Sequence, residues 1–159
     1  MKMKVKRTGY DIVVNIICLG LLVGILIYLG VTWSSIPEKI PGHYNGAGVI
    51  DRWGNKKELL IVPVISWIMY LGLTVVEKFP QTWNTGIQVT EENKEQVYRI
   101  LKDLLATEKL LMVAIFSFIT ICSSLSRALP MWFLPVFLSL VFGSLIFFMI
   151  RLGKNKTDN

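Results

Sequence analysis

Charged residues are scarce in this sequence and are missing altogether from four long stretches. Asp, Glu, Lys and Arg make up 18% of its 159 residues, whereas soluble domains average about 25%. The charge-free stretches are residues 12–33, 59–76, 110–126 and 128–150. Each is close to the roughly 20 apolar residues that a helix needs to cross the hydrocarbon core of a bilayer. The pattern excludes a water-soluble globule and a disordered chain.

Cysteine and histidine are also rare. The two cysteines, Cys18 and Cys122, fall at span depths that differ by roughly 10 Å, and a disulfide needs Cα atoms within about 7 Å. We therefore expect both thiols to be free and buried. A transition-metal site usually takes three or four protein ligands, and His43 is the only imidazole in the sequence. The sequence predicts no metal, no cofactor and no enzymatic activity.

The charge-free stretches predict an all-α integral membrane protein that forms one domain over residues 1–159. Four transmembrane helices are expected at about 12–33, 59–76, 109–126 and 129–150. A structured outer loop is expected between the first two helices. An amphipathic cytoplasmic helix is expected to lead into the third.

The distribution of Lys and Arg predicts the orientation of the chain. If the N-terminus is inside, twelve basic residues lie in the inner segments and five in the outer ones. The positive-inside rule then places both termini in the cytoplasm of a multi-pass protein of the plasma membrane. The net charge of +6 therefore indicates anionic lipid of the bilayer as a partner, and nucleic acid is not expected.

The predicted outer loop, residues 33–56, is rich in residues that restrict the backbone. Pro37 and Pro41 fix φ, while Asn45-Gly46 and Gly48 accept the positive φ values of tight turns. We therefore expect a tight turn or hairpin between residues 44 and 50. Asn55 followed by Glu58 predicts a capping box at the entry to the second span.

His43 and Asp51 admit three interpretations. They can hydrogen-bond the loop backbone and hold its fold, they can recognise a partner, or they can serve metal binding or acid–base catalysis. The first is favoured, because the loop supplies only one imidazole among scattered carboxylates and shows no spacing typical of a nucleophile.

The predicted inner loop contains an amphipathic stretch at residues 90–106. Val97, Leu101, Leu104 and Leu105 recur at helical spacing, so one face is apolar. We expect this face, with Tyr98, to lie at the inner membrane interface. The other expected arrangement is that the stretch runs directly into the third span as one long helix. Docking of a cytosolic partner is the alternative.

The charge-free stretches carry a single amide side chain, Asn15. We expect Asn15 to donate a hydrogen bond between helices. Pumps and coupled transporters usually place ionisable side chains inside their spans. Because none lies within the four stretches, a carrier function is not expected.

The outer loop resembles a known signature, "P..IP.H(aromatic)N..G..D.W..K". The matching residues are Pro37, Ile40, Pro41, His43, Tyr44, Asn45, Gly48, Asp51, Trp53 and Lys56. A second stretch is similar through Asn84, Ile87, Val89, Thr90, Asn93 and Tyr98. Both resemble an uncharacterised bacterial membrane domain that forms the N-terminal part of SdpI-like immunity proteins.

This resemblance implies a multi-span protein that protects Gram-positive cells against a secreted toxin peptide and signals to a cytosolic repressor. The resemblance implies no catalytic residues in this sequence. The leading hypothesis is therefore an immunity or sensor module that binds a peptide or lipid-like ligand through its outer loop. An accessory subunit of a membrane transport complex is the alternative, and a membrane hydrolase that uses His43 and Asp51 is the third hypothesis.

Overall fold

The computed structural model describes residues 5–155, so Lys2, Lys4 and Lys156 of the orientation argument lie outside the described residues. Four α-helices dominate the described part of the chain, and a two-stranded hairpin lies between the first two. In chain order the elements are α1 (Gly9–Thr32), β1 (Lys39–Tyr44), β2 (Ile50–Asn55), α2 (Ile61–Val76), α3 (Lys94–Ser124) and α4 (Phe133–Gly153). Short 3-10 turns at Trp33–Ser35, Lys56–Leu60 and Pro80–Thr82 complete the connections.

The four helices are long and apolar enough to cross a membrane, as the sequence predicted, but all four begin at a different residue than expected. The helix predicted from residue 12 begins at Gly9, since Thr8 caps its N-terminus and the Asp11 carboxylate accepts from the Thr8 amide. The helix predicted from residue 129 begins at Phe133. The predicted spans were bounded by charged residues, whereas the backbone hydrogen bonds of a helix continue past a charge, so α1 and α3 begin earlier than predicted.

The inner amphipathic stretch and the third span form one helix. The 31 residues of α3 run without interruption, which was one of the two expected arrangements. At about 1.5 Å per residue α3 is roughly 46 Å long, well beyond the hydrocarbon thickness of a bilayer. Its first turns therefore extend beyond the length that a membrane span requires.

Helix α3 is the centre of the bundle and packs against the other three helices. Its buried Ala106 and Val113 meet Cys18 and Leu22 of α1 and Tyr70 of α2. Helix α4 packs mainly on α3. The positions of the other helices are therefore set chiefly by their contacts with α3.

The outer loop forms a β-hairpin, one of the two arrangements expected there, so the mostly helical fold carries one short two-stranded sheet in its described part. Strands β1 and β2 pair antiparallel, from Lys39 opposite Asn55 to Tyr44 opposite Ile50, with irregular register around His43. The buried Ile40 packs with Ile36, Leu59 and the last turns of α1. This apolar contact fastens the base of the hairpin to the helices.

At the opposite end of α3, the amphipathic stretch packs on the last turns of α4. Val97 and Ile100 are fully buried against Phe148 and Leu152. Leu101 and Leu104, which the sequence analysis placed on the docking face, lie half-buried at its edge. The face is thus rotated from the predicted one, because α4 approaches α3 from one side.

Both cysteines are buried and free, as predicted.

Candidate functional site

A cavity of about 540 Å³ lies beneath the hairpin, between its turn and the helices α2, α3 and α4. Its walls are largely apolar: α3 contributes Ile115, Phe116 and Ile119, and α4 contributes Phe133, Leu134 and Phe137. A cleft of this size and character is typical of sites for small apolar or amphipathic ligands. The hairpin is the polar side of this cavity.

Three hydrogen bonds join the hairpin to the C-terminal end of α3 and to the connection that follows it. The Ser123 hydroxyl donates to the Pro41 carbonyl oxygen at 2.6 Å, and the Tyr44 hydroxyl donates to the Arg127 carbonyl oxygen at 3.0 Å. The Leu129 amide donates to the Gly48 carbonyl oxygen at 2.9 Å. The predicted site residues Pro41, Tyr44 and Gly48 therefore hold the hairpin in place.

Burial of the Tyr44 phenol, near the thiol of Cys122, raises its pKa to about 12. The hydroxyl therefore stays protonated at any physiological pH and remains a donor to the Arg127 carbonyl. This anchor does not depend on pH in the range where the protein works.

The turn of the hairpin is built by Asn45 and Gly48. The Asn45 side-chain oxygen accepts from the amides of Ala47 and Val49, at 2.9 and 3.1 Å. Gly48 has a φ of 79° and is buried against the connection between α3 and α4. A Cβ at this position would lie 2.7 Å from the Leu129 carbonyl oxygen, so only glycine fits. The predicted tight turn is confirmed. The same turn also makes the contact with Leu129.

His43 and Asp51 form a pair on the rim of the hairpin. His43 Nδ1 lies 2.6 Å from Asp51 Oδ1, and the two side chains are 64% and 41% exposed. The favoured interpretation, in which both residues hydrogen-bond the loop backbone, is wrong about their hydrogen-bond partners. The two side chains bond each other across the strands. The register of the pairs on either side, Pro41 with Trp53 and Tyr44 with Ile50, places position 43 opposite position 51. The irregularity at His43 shifts its backbone partner to Arg52, and the two side chains still meet.

Arg52 links the hairpin to the start of α2. Its guanidinium donates to Glu58 at 2.9 Å and to the Gly42 carbonyl oxygen at 2.8 Å. Glu58 also accepts from the Asn55 amide, while the Asn55 side chain accepts from the Lys57 amide, so the predicted capping box is present. Arg52 and Glu58 line the cavity and give its rim a fixed polar edge.

The remaining hairpin residues of the signature differ in their surroundings. Lys56 is buried, with its ammonium 5.0 Å from the centre of the Trp33 ring and 3.9 Å from Glu38. Trp53 and Pro37 are exposed. Lys56 is therefore a structural residue at the base of the hairpin, and Trp53 is open to a ligand or to lipid headgroups.

The predicted inner docking residues are not part of this site. Tyr98 packs beside Trp83, with ring centres 6.0 Å apart, near the beginning of α3. Ser123, which holds the hairpin, is 25 residues further along the same helix, or roughly 37 Å. The site residues predicted from the sequence thus belong to two opposite ends of the bundle.

Sequence reasoning missed a set of buried ion pairs near the beginning of α3. Lys109 Nζ is completely buried and lies 2.6 Å from Glu77 Oε1. Asp11 is held by Arg99 through two hydrogen bonds of 2.7 and 2.9 Å. The available signal was that three of these charges, Asp11, Glu77 and Lys109, directly border an apolar stretch. The argument against a carrier considered only the charge-free stretches, and these ion pairs lie just outside them.

Asn15 joins this set, but in the role opposite to the predicted one. Its side-chain oxygen accepts from Lys109 at 3.0 Å and from the Tyr70 hydroxyl at 3.2 Å, while its amide donates within α1 to the Asp11 carbonyl oxygen. Asn15 thus bridges three helices as an acceptor.

Within residues 5–155, no three His, Cys, Asp or Glu side chains are grouped closely enough to hold a metal ion. His43 lines the cavity with Arg52 and Glu58, whereas its partner Asp51 lies outside the lining. What this arrangement offers chemically is a hydrogen-bonding rim above an apolar pocket.

The hairpin is also the part of the chain that matches a known family model. Residues 20–66 match DUF1648, a domain of unknown function. The DUF1648 match runs from the middle of α1 through the hairpin into α2, so it contains the anchors Pro41, Tyr44 and Gly48. Their partners on α3 and beyond it lie outside the matched residues.

One relative covers most of the chain. An uncharacterized protein of the archaeon Archaeoglobus fulgidus is 26% identical over 156 residues, which include 87% of this chain and 84% of the relative. No solved structure matches the chain. The DUF1648 match and the four apolar helices together indicate a multi-pass membrane protein that carries an uncharacterised membrane domain.

Proposed function

We propose that this protein is a non-enzymatic membrane receptor that binds an amphipathic ligand between the hairpin and the ends of α2, α3 and α4. The observation that carries the proposal is the apolar cavity of about 540 Å³ beneath the hairpin. An acyl chain or the apolar face of a peptide fits such a cavity, and a polar group fits its rim.

The construction of the hairpin supports a binding role. Its anchors are bonded to α3 and to the connection after it, so the cavity keeps its shape without a ligand. A binding site that is already formed loses less free energy to ordering when the ligand binds. His43, Asp51 and Trp53 remain exposed at or near the rim, where they are free to contact a polar group.

The resemblance to SdpI-like immunity proteins suggests the biological setting. In this proposal the hairpin faces the outside of the plasma membrane, both termini are cytoplasmic, and the ligand is a toxin peptide or a lipid-like molecule. The α3–α4 contact at the inner end then offers a surface to a cytosolic regulator such as a repressor. The excess of Lys and Arg in the inner segments supports this orientation.

Native mass spectrometry of the full chain tests the binding site. The purified protein in detergent is incubated either with lysophosphatidylcholine, which has one acyl chain and no net charge, or with a synthetic amphipathic peptide of leucine and lysine. We expect one molecule of at least one probe to be retained. The probe that is retained indicates whether acyl chains or peptides are the ligand class.

Cavity-filling variants supply the decisive comparison. Ile119→Trp and Ile115→Trp each fill part of the cavity from α3 and should abolish retention. Ile27→Trp adds the same bulk on an exposed face of α1 and should leave retention unchanged. Retention of neither probe, or equal retention by all variants, contradicts the proposal.

A second candidate is an accessory subunit of a membrane transport complex, with α4 as the contact surface. Only 6% of the apolar window of α4 is buried, compared with 22–28% in the other three helices. Lipid covers such a face equally well, so this candidate stands second. Co-purification of a transporter that is lost when Phe142→Ala and Ile146→Ala are combined on α4 would favour it.

A further inference from the structure

A second cavity, of about 480 Å³, lies at the other end of the bundle, between the beginning of α1, the end of α2 and the first half of α3. Unlike the cavity beneath the hairpin, it is lined mainly by charged and polar side chains. The charged ones are Arg7, Asp11, Glu77, Lys78 and Lys102. Nothing in the proposed function uses this cavity.

Both carboxylates that line this cavity are already paired. Asp11 receives two hydrogen bonds from Arg99 and a third, of 2.8 Å, from the Thr8 amide. Glu77 lies 2.6 Å from the buried ammonium of Lys109. Arg99 also contacts Asp103 at 2.5 Å. The negative charges are therefore neutralised within the protein.

Basic side chains remain in excess after this pairing. Among residues 5–155, neither Arg7 nor Lys78 has a carboxylate within 4.0 Å. Lys102 lies 3.3 Å from Asp11, whose oxygens Arg99 already occupies. The cluster thus contains five basic groups (Arg7, Lys78, Arg99, Lys102 and Lys109) and three acidic ones (Asp11, Glu77 and Asp103), an excess of two positive charges.

We propose that this cavity binds a phosphate-bearing anion through Arg7, Lys78 and Lys102. Guanidinium and ammonium groups are the usual partners of phosphate oxygens, and a partly enclosed site strengthens their attraction. The cavity lies where α1 begins and α2 ends, which is the depth of lipid headgroups if these helices span the bilayer. The phosphate belongs either to an anionic phospholipid or to a free anion. Both sources offer the phosphate oxygens that these basic side chains would bind.

Thermal unfolding of the full chain in detergent tests the site with three probes. These are phosphatidylglycerol, phosphatidylcholine and inorganic phosphate, each titrated to saturation. A ligand present at about 100 times its Kd raises the unfolding midpoint of a protein of this size by about 5–10 °C. We expect that shift with phosphatidylglycerol or phosphate. A larger shift with phosphatidylglycerol identifies a lipid, and equal shifts identify a free anion.

Two double variants decide whether the cavity is responsible. Arg7→Gln with Lys78→Gln removes two exposed basic groups that line the cavity and should abolish the shift. Lys94→Gln with Lys154→Gln removes the same charge at the same end but outside the cavity, and should retain the shift. If the first pair fails to fold, Lys78→Gln alone should reduce the shift by at least half.

The proposal is overturned by either of two results. One is an equal shift with phosphatidylglycerol and phosphatidylcholine together with no effect of phosphate. The other is a shift that survives in the Arg7/Lys78 variant. Neither result bears on the cavity beneath the hairpin, which is tested with an uncharged single-chain lipid and with other variants.

Discussion

The Gly48 carbonyl oxygen accepts a hydrogen bond of 2.9 Å from the Leu129 amide, and this bond joins the turn of the hairpin to the connection between α3 and α4. The two residues are 81 positions apart in the sequence. The bond requires the backbone of Gly48 to pass so close to Leu129 that no side chain fits between them. The contact therefore sets the position of one wall of the cavity beneath the hairpin.

Replacing Gly48 by alanine should destabilise the protein. The φ of 79° costs a residue with a Cβ about 1–2 kcal/mol, and the Cβ would collide with the Leu129 carbonyl oxygen. We expect the thermal midpoint in detergent to fall by about 2–8 °C. Gly46→Ala is the matched control, because a Cβ there meets open space in the same turn. Equal midpoints for the two variants would show that the turn does not depend on this contact.

Breaking the buried ion pair should cost more than any exposed substitution. Lys109→Met leaves Glu77 buried without its partner, and the loss of one member of a buried pair typically costs about 3–5 kcal/mol. Combining Lys109→Met with Glu77→Leu should recover part of that loss, since neither charge then remains unpaired. A double-mutant cycle of unfolding free energies measures the coupling. Additive losses would contradict a direct interaction.

The pair of His43 and Asp51 should matter little to stability. Ion pairs between exposed side chains contribute about 0.2–1 kcal/mol, and these two bond each other rather than the backbone. His43→Ala and Asp51→Ala should each lower the thermal midpoint by less than about 4 °C. A marked loss of probe retention with an unchanged midpoint would assign the pair to ligand recognition.

The same variants test the hydrolase hypothesis. Metal analysis of the purified protein should find no stoichiometric zinc. If zinc is present and either substitution removes it, the two residues are metal ligands and the enzyme hypothesis takes first place.

The side of the membrane on which the hairpin lies can be tested by cysteine labelling. In a background that lacks Cys18 and Cys122, Ala47→Cys in the exposed turn should react with an impermeant thiol reagent on intact cells. Glu92→Cys, which is exposed before α3, should react only after lysis. Position 47 is preferable to position 45, because the Asn45 side chain holds the turn. The reverse labelling pattern would invert the orientation.

The contact between α3 and α4 should depend on Ile100 more than on Leu101. Ile100 is fully buried between the helices, and truncation of such a residue to alanine typically costs about 2–5 kcal/mol. Leu101 is half-buried, so Leu101→Ala should cost clearly less. Limited proteolysis near Tyr98 measures how far each variant loosens this end. Equal cleavage rates in the two variants would argue against the docked face.

Much of the fold could be predicted because its signals are local. The apolar lengths predicted four helices, Asn45-Gly46 and Gly48 predicted the tight turn, and Asn55 with Glu58 predicted the capping box. Each of these depends on residues within a few positions of one another. Backbone preference and transfer of apolar side chains out of water are enough to produce them.

The candidate site could be predicted only in part. The signature picked out Tyr44 and Gly48, but their partners Arg127 and Leu129 lie more than 80 residues away. Their roles as anchors emerge only once α3 is placed beneath the hairpin. Sequence spacing alone also could not establish the strand register that places His43 beside Asp51.

The sequence by itself determined that the chain has four helices long and apolar enough to cross a membrane, and where the loop between the first two turns. The tertiary structure alone decided that Lys109 faces Glu77 and that Arg99 faces Asp11. It also decided that an apolar cavity forms at one end of the bundle and a basic one at the other. The physical reason is that a charge beside an apolar stretch can face either water or a partner on another helix. Only the packing of α1, α2 and α3 together selects the partner.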